Sequence, residues 1–371
     1  MKQTADMENI FITGGAGFIG SRLAIALARR NSAQRIWIFD NLHPQVHGQD
    51  PVLPNFPSQV SFIRGDIADA VAVRRAIEAA RPTVVFHLAA ETGTGQSYDE
   101  PARYCNANVS GTAYLIEAIR AVNVTRRIVL AGSRAVYGEG AYVDATGHEY
   151  GGLPRDPAAM ALCDFSVRVP DRALMPTRAA ASHADIPAAP ASIYASTKLM
   201  QEYLLCQAGR GANWTATVLR FQNVFGPGQS LQNPYTGVLS VFARQLVEGK
   251  QLAIFEDGQI TRDFVFVDDV VDALIRAGER ALPHGTIIDI GSGSAVTIEH
   301  IARMLMRCLG RTEDSYAITG DFRIGDVRHA QADIRRAREL LGWAPSTSLE
   351  NGIGQLADWV QTQTETYAAR L

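Results

Sequence analysis

The chain has 371 residues, 47% hydrophobic and 20% charged, so it can bury one large core or two moderate ones and is not a disordered chain. Its formal net charge of -3 and lack of long basic runs exclude the electrostatic footprint of a nucleic-acid or anionic-membrane binder. No apolar run approaches the roughly 18 residues that a membrane span requires. The four cysteines, Cys105, Cys163, Cys206 and Cys308, lie far apart. They contain no Cys-x-x-Cys pair, which argues against a disulfide framework and a structural zinc site. A soluble protein of the reducing cytoplasm, with no targeting segment and no metal, is the expectation.

In chain order, short apolar runs alternate with helical patterns: "NIFIT", "FIGSRLAIALARR", "RIWIFD", "VSFIRG", "AVAVRRAIEAA", "TVVFHLAA", "VSGTAYLIEAIRAV" and "RIVLAGS". Strands separated by helices of several turns predict an α/β fold, a doubly wound parallel sheet with right-handed crossovers. Between Ala141 and Pro190 the pattern dissolves into proline- and glycine-rich sequence, which predicts a long loop or insertion without sustained structure. The helix "SIYASTKLMQEYLLCQA", the strand "ATVLRF" and further short elements follow. The expected division is a dinucleotide-binding domain over 7–190, with the insertion at 141–190, completed by parts of 191–225 and 252–280. A smaller C-terminal α/β substrate domain spans mainly 226–371.

Gly14, Gly17 and Gly20 fall between the first strand and the first turn of a helix. That spacing permits a tight turn, lets backbone approach a pyrophosphate and allows the helix to pack on the strand, with its N-terminal N–H groups facing the anion. Asp40 ends the second strand 20 residues past Gly20. A carboxylate there accepts hydrogen bonds from the adenosine ribose and repels a 2′-phosphate, so NAD is expected rather than NADP.

Only Lys2, Lys198 and Lys250 are lysine among 35 basic residues, so each stands out. Lys198 lies four residues after Tyr194, on the same helical face. An ammonium beside a phenol favours the phenolate, so this pair reads as a base adjusted by its neighbour. Ser133 ends the run "RIVLAGS", at the C-terminal strand end where open α/β sheets bind ligands, and its hydroxyl can hold the oxygen being oxidised.

These residues, with "GDI" at Gly65 to Ile67, "HLAA" at His87 to Ala90, "NVSGT" at Asn108 to Thr112 and "SRAVYG", resemble the extended short-chain dehydrogenase/reductases, specifically their nucleotide-sugar epimerase and dehydratase group. The resemblance implies a Rossmann-type domain and a catalytic triad of Ser133, Tyr194 and Lys198. It also implies NAD contacts from Gly14, Gly17, Phe18, Ile19, Gly20, Asp40, Asn41, Asp66, Ile67, Leu88, Ala89, Ala90 and Asn108. Dehydratases of the group carry an Asp-Glu pair directly after the catalytic hydroxyl residue. This chain has Arg134 and Ala135 there, which disfavours elimination.

Further on, the resemblance assigns Asn223, Arg262, Arg323 and Asp326 to the diphosphate side of a nucleotide-diphosphate sugar. Thr92, Thr94, Gln96 and Arg134 are assigned to the sugar side. The stretches "DNLHPQVHG" and "ETGTGQS" are most similar to 4-epimerases of dTDP-6-deoxyhexoses, the dTDP-L-rhamnose type. A homodimer through the helices around Asn108 to Val122 and Ser192 to Ala208 is a further implication. A 4-ketoreductase with the same triad, a non-catalytic dinucleotide sensor and a 4,6-dehydratase remain as alternatives.

Overall fold

The computed structural model describes residues 7–30, 34–170, 177–231, 233 and 237–368. Seven strands form the central sheet: β1 (Asn9–Thr13), β2 (Arg35–Asp40), β3 (Val60–Arg64), β4 (Val84–His87), β5 (Arg127–Ser133), β6 (Thr215–Phe221) and β7 (Thr286–Ile290). Their order is β7-β6-β5-β4-β1-β2-β3, and every neighbouring pair is parallel. The order reverses direction between β1 and β4, which opens a crevice at the C-terminal strand ends.

Successive residues of β1 point to opposite faces of the sheet, and both faces are buried. Ile10 and Ile12 enter one core with Leu23 and Leu27 of helix α1 (Phe18–Arg30), while Phe11 enters the other with Ile77 of α2 (Ala70–Ala80) and Leu115 of α3 (Gly111–Val122). The first core also takes Val270 and Leu274 of α5 (Val267–Glu279), while α4 (Ile193–Ala208) places Leu205 in the core that holds Phe11. Fixed on both faces, the sheet holds its crevice rigidly.

The strand β7 corrects the expected domain division. Thr286–Ile290 belongs to the central sheet although it lies in the half assigned to the substrate domain, and Trp343 packs in the first core with its indole N–H donating to Asp269 O at 2.9 Å. What remains separate is a third core, in which Leu239, Ile301 and Leu356 meet beside the small sheets Asn223–Phe225/Thr261–Phe266/Ala295–Thr297 and Leu252–Ile254/Tyr316–Ile318.

The insertion is also more ordered than its composition predicts. Ala141–Asp144 pairs antiparallel with Glu149–Gly151 on one side and Thr177–Ala180 on the other, and a short helix spans Pro157–Ala161. Residues 171–176 of the insertion lie outside the described residues. Strands of three or four residues are too short for a periodicity signal, and long-range pairing supplies what local pattern does not. Among the described residues no helix is long and apolar enough to cross a membrane.

Candidate active site

A cleft of about 670 Å³ opens at the switch point, lined by the β1 to α1 turn, the ends of β2, β4 and β5, and the start of α4. At its floor Gly14 has φ +68, and a Cβ there would lie 2.8 Å from the Ala89 nitrogen; at Gly20 it would lie 2.2 Å from the Gly14 oxygen. Only glycine fits such a turn, and the shape leaves backbone rather than side chain facing a ligand. Gly17, Phe18 and Ile19 line the same wall.

Asp40 is buried, with one carboxylate oxygen accepting from Ala16 N at 3.1 Å and the other from Leu42 N at 2.8 Å. Those bonds aim it across the cleft beside Asn41, which donates from Nδ2 to Asp66 Oδ2 at 2.9 Å. Asp66, Ile67, Leu88, Ala89, Ala90 and Thr92 complete this side. The cradle, the carboxylate and the strand-end backbone fit a dinucleotide. Asn108 is placed differently from its expected role: fully buried, it binds Glu91 N through Oδ1 at 2.8 Å and donates from Nδ2 to Glu91 O and Thr197 Oγ1. It braces the strand-end loop against α4 and does not line the cleft, and it sits in a π-helical turn, Cys105–Ser110, just before α3.

Ser133 closes β5 in extended backbone, and its Oγ accepts from Ala135 N at 3.2 Å. Ser192 caps α4, its Oγ accepting from Ala195 N at 3.1 Å, and so starts the helix two residues before Tyr194. Two distant elements thus converge, and Ser133 and Tyr194 share the wall of the cleft. Burial raises the Tyr194 phenol above its ordinary value, while the Ser133 hydroxyl and the Arg134 guanidinium pull the other way. This differs from the sequence expectation, in which Lys198 favours the phenolate. Arg134 supplies the favourable charge here, because the Lys198 ammonium turns to Gln201 Oε1 at 2.5 Å.

Gln201 in turn donates to Thr112 Oγ1 at 2.9 Å and lies 3.2 Å from His87 Nε2, while His87 Nδ1 meets Thr13 Oγ1 at 2.7 Å. Burial and the Lys198 charge push His87 down to about 3, so the ring is neutral and serves as a fixed post. Burial lowers Lys198 to about 8, with the Glu202 carboxylate opposing that shift. The ammonium is therefore complete below about pH 8 and lost as pH climbs through it. Affinity of NAD-free protein for NAD is expected to fall several-fold between about pH 7 and pH 9, measured by calorimetry, and to be flat over that range in Lys198→Met. A wild-type profile without that fall contradicts the assignment. The same shift has the opposite sign for stability: between the lowered value and 10.5 the unfolded chain holds more protons, so this lysine's contribution rises with pH.

The sugar and diphosphate assignments divide. Gln96 is buried, joined to Gln45 by amide hydrogen bonds and donating to Glu100 Oε1 at 2.7 Å, so it is part of the wall behind the cleft. Thr94 begins the short helix Thr94–Asp99 and is likewise outside the lining. Asp326 is a partner of Arg262, whose Nη2 donates to it at 2.5 Å, and a carboxylate so placed orients the arginine rather than binding phosphate. Arg134 faces this pair electrostatically; Arg323 lies over the Phe255 ring, 4.7 Å from its centroid. None of these four borders the cleft, and neither does Asn223, whose buried Oδ1 has no partner among the described residues.

Sequence reasoning missed Gln45, Glu91 and Arg103, which do border it. Arg103 donates to Glu91 Oε2 at 2.8 Å and to Gln45 Oε1 at 3.0 Å. These three come from separate segments, Gln45 in the short helix Pro44–His47, Glu91 in a loop and Arg103 in the short helix Pro101–Tyr104, and share no spacing that could flag them.

The model of the NAD dependent epimerase/dehydratase family matches residues 10–157 and 171–291. The chain belongs to this family. It is 40% identical over 363 residues to a dTDP-L-rhamnose 4-epimerase of Burkholderia thailandensis, covering 97% of each chain. It is 30% identical to a UDP-glucose 4-epimerase of Mycolicibacterium smegmatis, over 95% of this chain and 99% of the other. The solved structure of MoeE5 in complex with UDP-glucose and NAD superposes with a TM-score of 0.75 at 28% identity, covering 96% of this chain and 99% of that one. The family has NAD as its cofactor, and the glycine cradle and Asp40 are where this member would hold it.

Proposed function

We propose that this family member is an NAD-dependent 4-epimerase of a nucleotide-diphosphate sugar, with a dTDP-6-deoxyhexose of the L-rhamnose type as substrate. The observation that carries the reading is the meeting of Ser133, Tyr194 and Lys198 on the wall of the cleft that begins at the glycine cradle. When bound, NAD supplies a reversible hydride acceptor for sugar C4. Tyr194 takes the proton of the C4 hydroxyl as phenolate and returns it after the 4-keto sugar has turned over, while Ser133 holds the same oxygen. Lys198, braced by Gln201, holds nicotinamide ribose hydroxyls.

Arg134 and Ala135 leave the position beside Ser133 without the carboxylates an elimination needs, which favours epimerisation over dehydration. Arg262 and Arg323 are the guanidinium groups assigned to the diphosphate, with Asn223 at the strand start. A homodimer is part of the reading, supported by Met200 and Tyr203, which are exposed on α4. So is a cytoplasmic setting, supported by four free thiols.

The test is incubation of purified protein with dTDP-L-rhamnose and no added cofactor, followed by NMR. Conversion to a mixture of C4 epimers, with no net change in nicotinamide absorbance, is the expected result. Failure to epimerise dTDP-L-rhamnose, with stoichiometric consumption of added NADH once the corresponding dTDP-4-keto sugar is supplied, would instead identify a ketoreductase.

A further inference from the structure

One arginine of the insertion has no place in the chemistry above, yet its side chain is 2% exposed and every donor nitrogen of its fork is engaged. Arg155 lies between the strand Glu149–Gly151 and the helix Pro157–Ala161. Its Nε donates to Glu139 Oε1 at 2.8 Å, its Nη1 to Glu256 Oε1 at 2.7 Å and its Nη2 to the main-chain oxygen of Asp326 at 2.8 Å. Three stretches of chain therefore meet on one guanidinium: the turn that follows Ser133, the loop after Leu252–Ile254, and the loop that carries Asp326.

The two acids are anchored from their other sides. Glu139 Oε2 accepts the Arg328 N–H at 2.7 Å, and Glu256 Oε2 accepts Arg328 Nη1 at 2.6 Å, with Asp257 completing a bidentate pair on the same arginine. Glu139 and Glu256 are both buried, and Glu256 sits at φ +55, a left-handed conformation that a non-glycine residue adopts only when its surroundings enforce it. Asp326 is thus set through its backbone by Arg155, and through its carboxylate it sets Arg262.

We infer that Arg155 is a positioning residue for nucleotide-diphosphate binding, linking the insertion to the Asp326–Arg262 pair. The inference rests on the reading of Arg262 as a diphosphate ligand. A planar fork with donors in three directions is required, because a lysine ammonium offers a single point of charge and cannot span all three acceptors at their observed positions. The insertion is in this way a built part of the diphosphate side and not a free lid. Without Arg155, Asp326 loses the bond that fixes its main chain, and Arg262 loses its orientation while keeping its charge.

The experiment measures dTDP binding by calorimetry, together with retained NAD and KM and kcat for the nucleotide sugar, in wild type, Arg262→Gln, Arg155→Gln and Arg155→Lys. Arg262→Gln is expected to weaken dTDP about tenfold or more. Arg155→Gln is expected to do nearly the same, with KM raised, kcat within about twofold and NAD retained. Arg155→Lys should recover only part of the loss, and it decides the matter alone if Arg155→Gln fails to fold. If Arg262→Gln weakens dTDP and the Arg155 variants bind it like wild type, the positioning role is overturned and the reading of Arg262 stands. If Arg262→Gln itself binds dTDP normally, the diphosphate reading falls. Loss of NAD and dTDP together in Arg155→Lys would mark a merely structural arginine and overturn the inference.

Discussion

Tyr194→Phe is expected to lower kcat by about 10³-fold or more while leaving bound NAD in place, measured by NMR turnover and by the absorbance of released cofactor. The ring stays, so its edge-on packing against Tyr104, at 6.4 Å between centroids, is kept. What disappears is the phenolic oxygen on the cleft wall that Tyr194 shares with Ser133. A positioned acid/base group contributes roughly 10² to 10⁴ in rate, and this group would work in both proton transfers of the cycle. Residual activity above about a tenth of wild type would remove Tyr194 from the mechanism.

The second large effect is on stability. Glu202 and Arg220 form a buried two-point ion pair, with Nε to Oε1 at 3.0 Å and Nη2 to Oε2 at 2.6 Å. Glu202 lies one turn beyond Lys198 on α4 and Arg220 lies on β6, so the pair fastens the catalytic helix to the sheet. Arg220 also lies over the Tyr137 ring at 4.7 Å, and the Tyr137 hydroxyl donates to Asp289. Removing one partner of such a pair leaves the other charge buried, at a cost of about 3–5 kcal/mol. Glu202→Ala is therefore expected to lower the melting temperature by about 5–10 °C. Asp289, which burial pushes up to about 7, faces the same arginine and is the group that would ionise to limit the loss. Replacing both partners by methionine should recover most of the stability, because the desolvation of both ions is then avoided. A single variant that melts like wild type would show that the pair is idle.

Much of the cofactor half was legible because its chemistry is local. The turn from Gly14 to Gly20 needs residues without Cβ, and Asp40 must end the neighbouring strand, so spacing alone locates both. Tyr194 and Lys198 are readable for the same reason, being one helical turn apart. The sugar half was less legible where the relevant distances cross the fold. Nothing in "GTGQS" shows that Gln96 binds Gln45 behind the cleft, and nothing near Asp326 shows that its partner is Arg262, sixty-four positions earlier.

The sequence by itself determined the alternation of strands and helices before the insertion, the glycine turn, the acid at the end of β2 and the one-turn spacing of Tyr194 and Lys198, since each depends on period or spacing within a few residues. Only the tertiary structure decided that Thr286–Ile290 joins the first sheet, that the insertion forms its own strands, and that Lys198 rests on Gln201 while Arg134 faces the phenol. The physical reason is that backbone geometry acts over a few bonds, whereas hydrogen bonds and charges act through space between segments that only folding brings together.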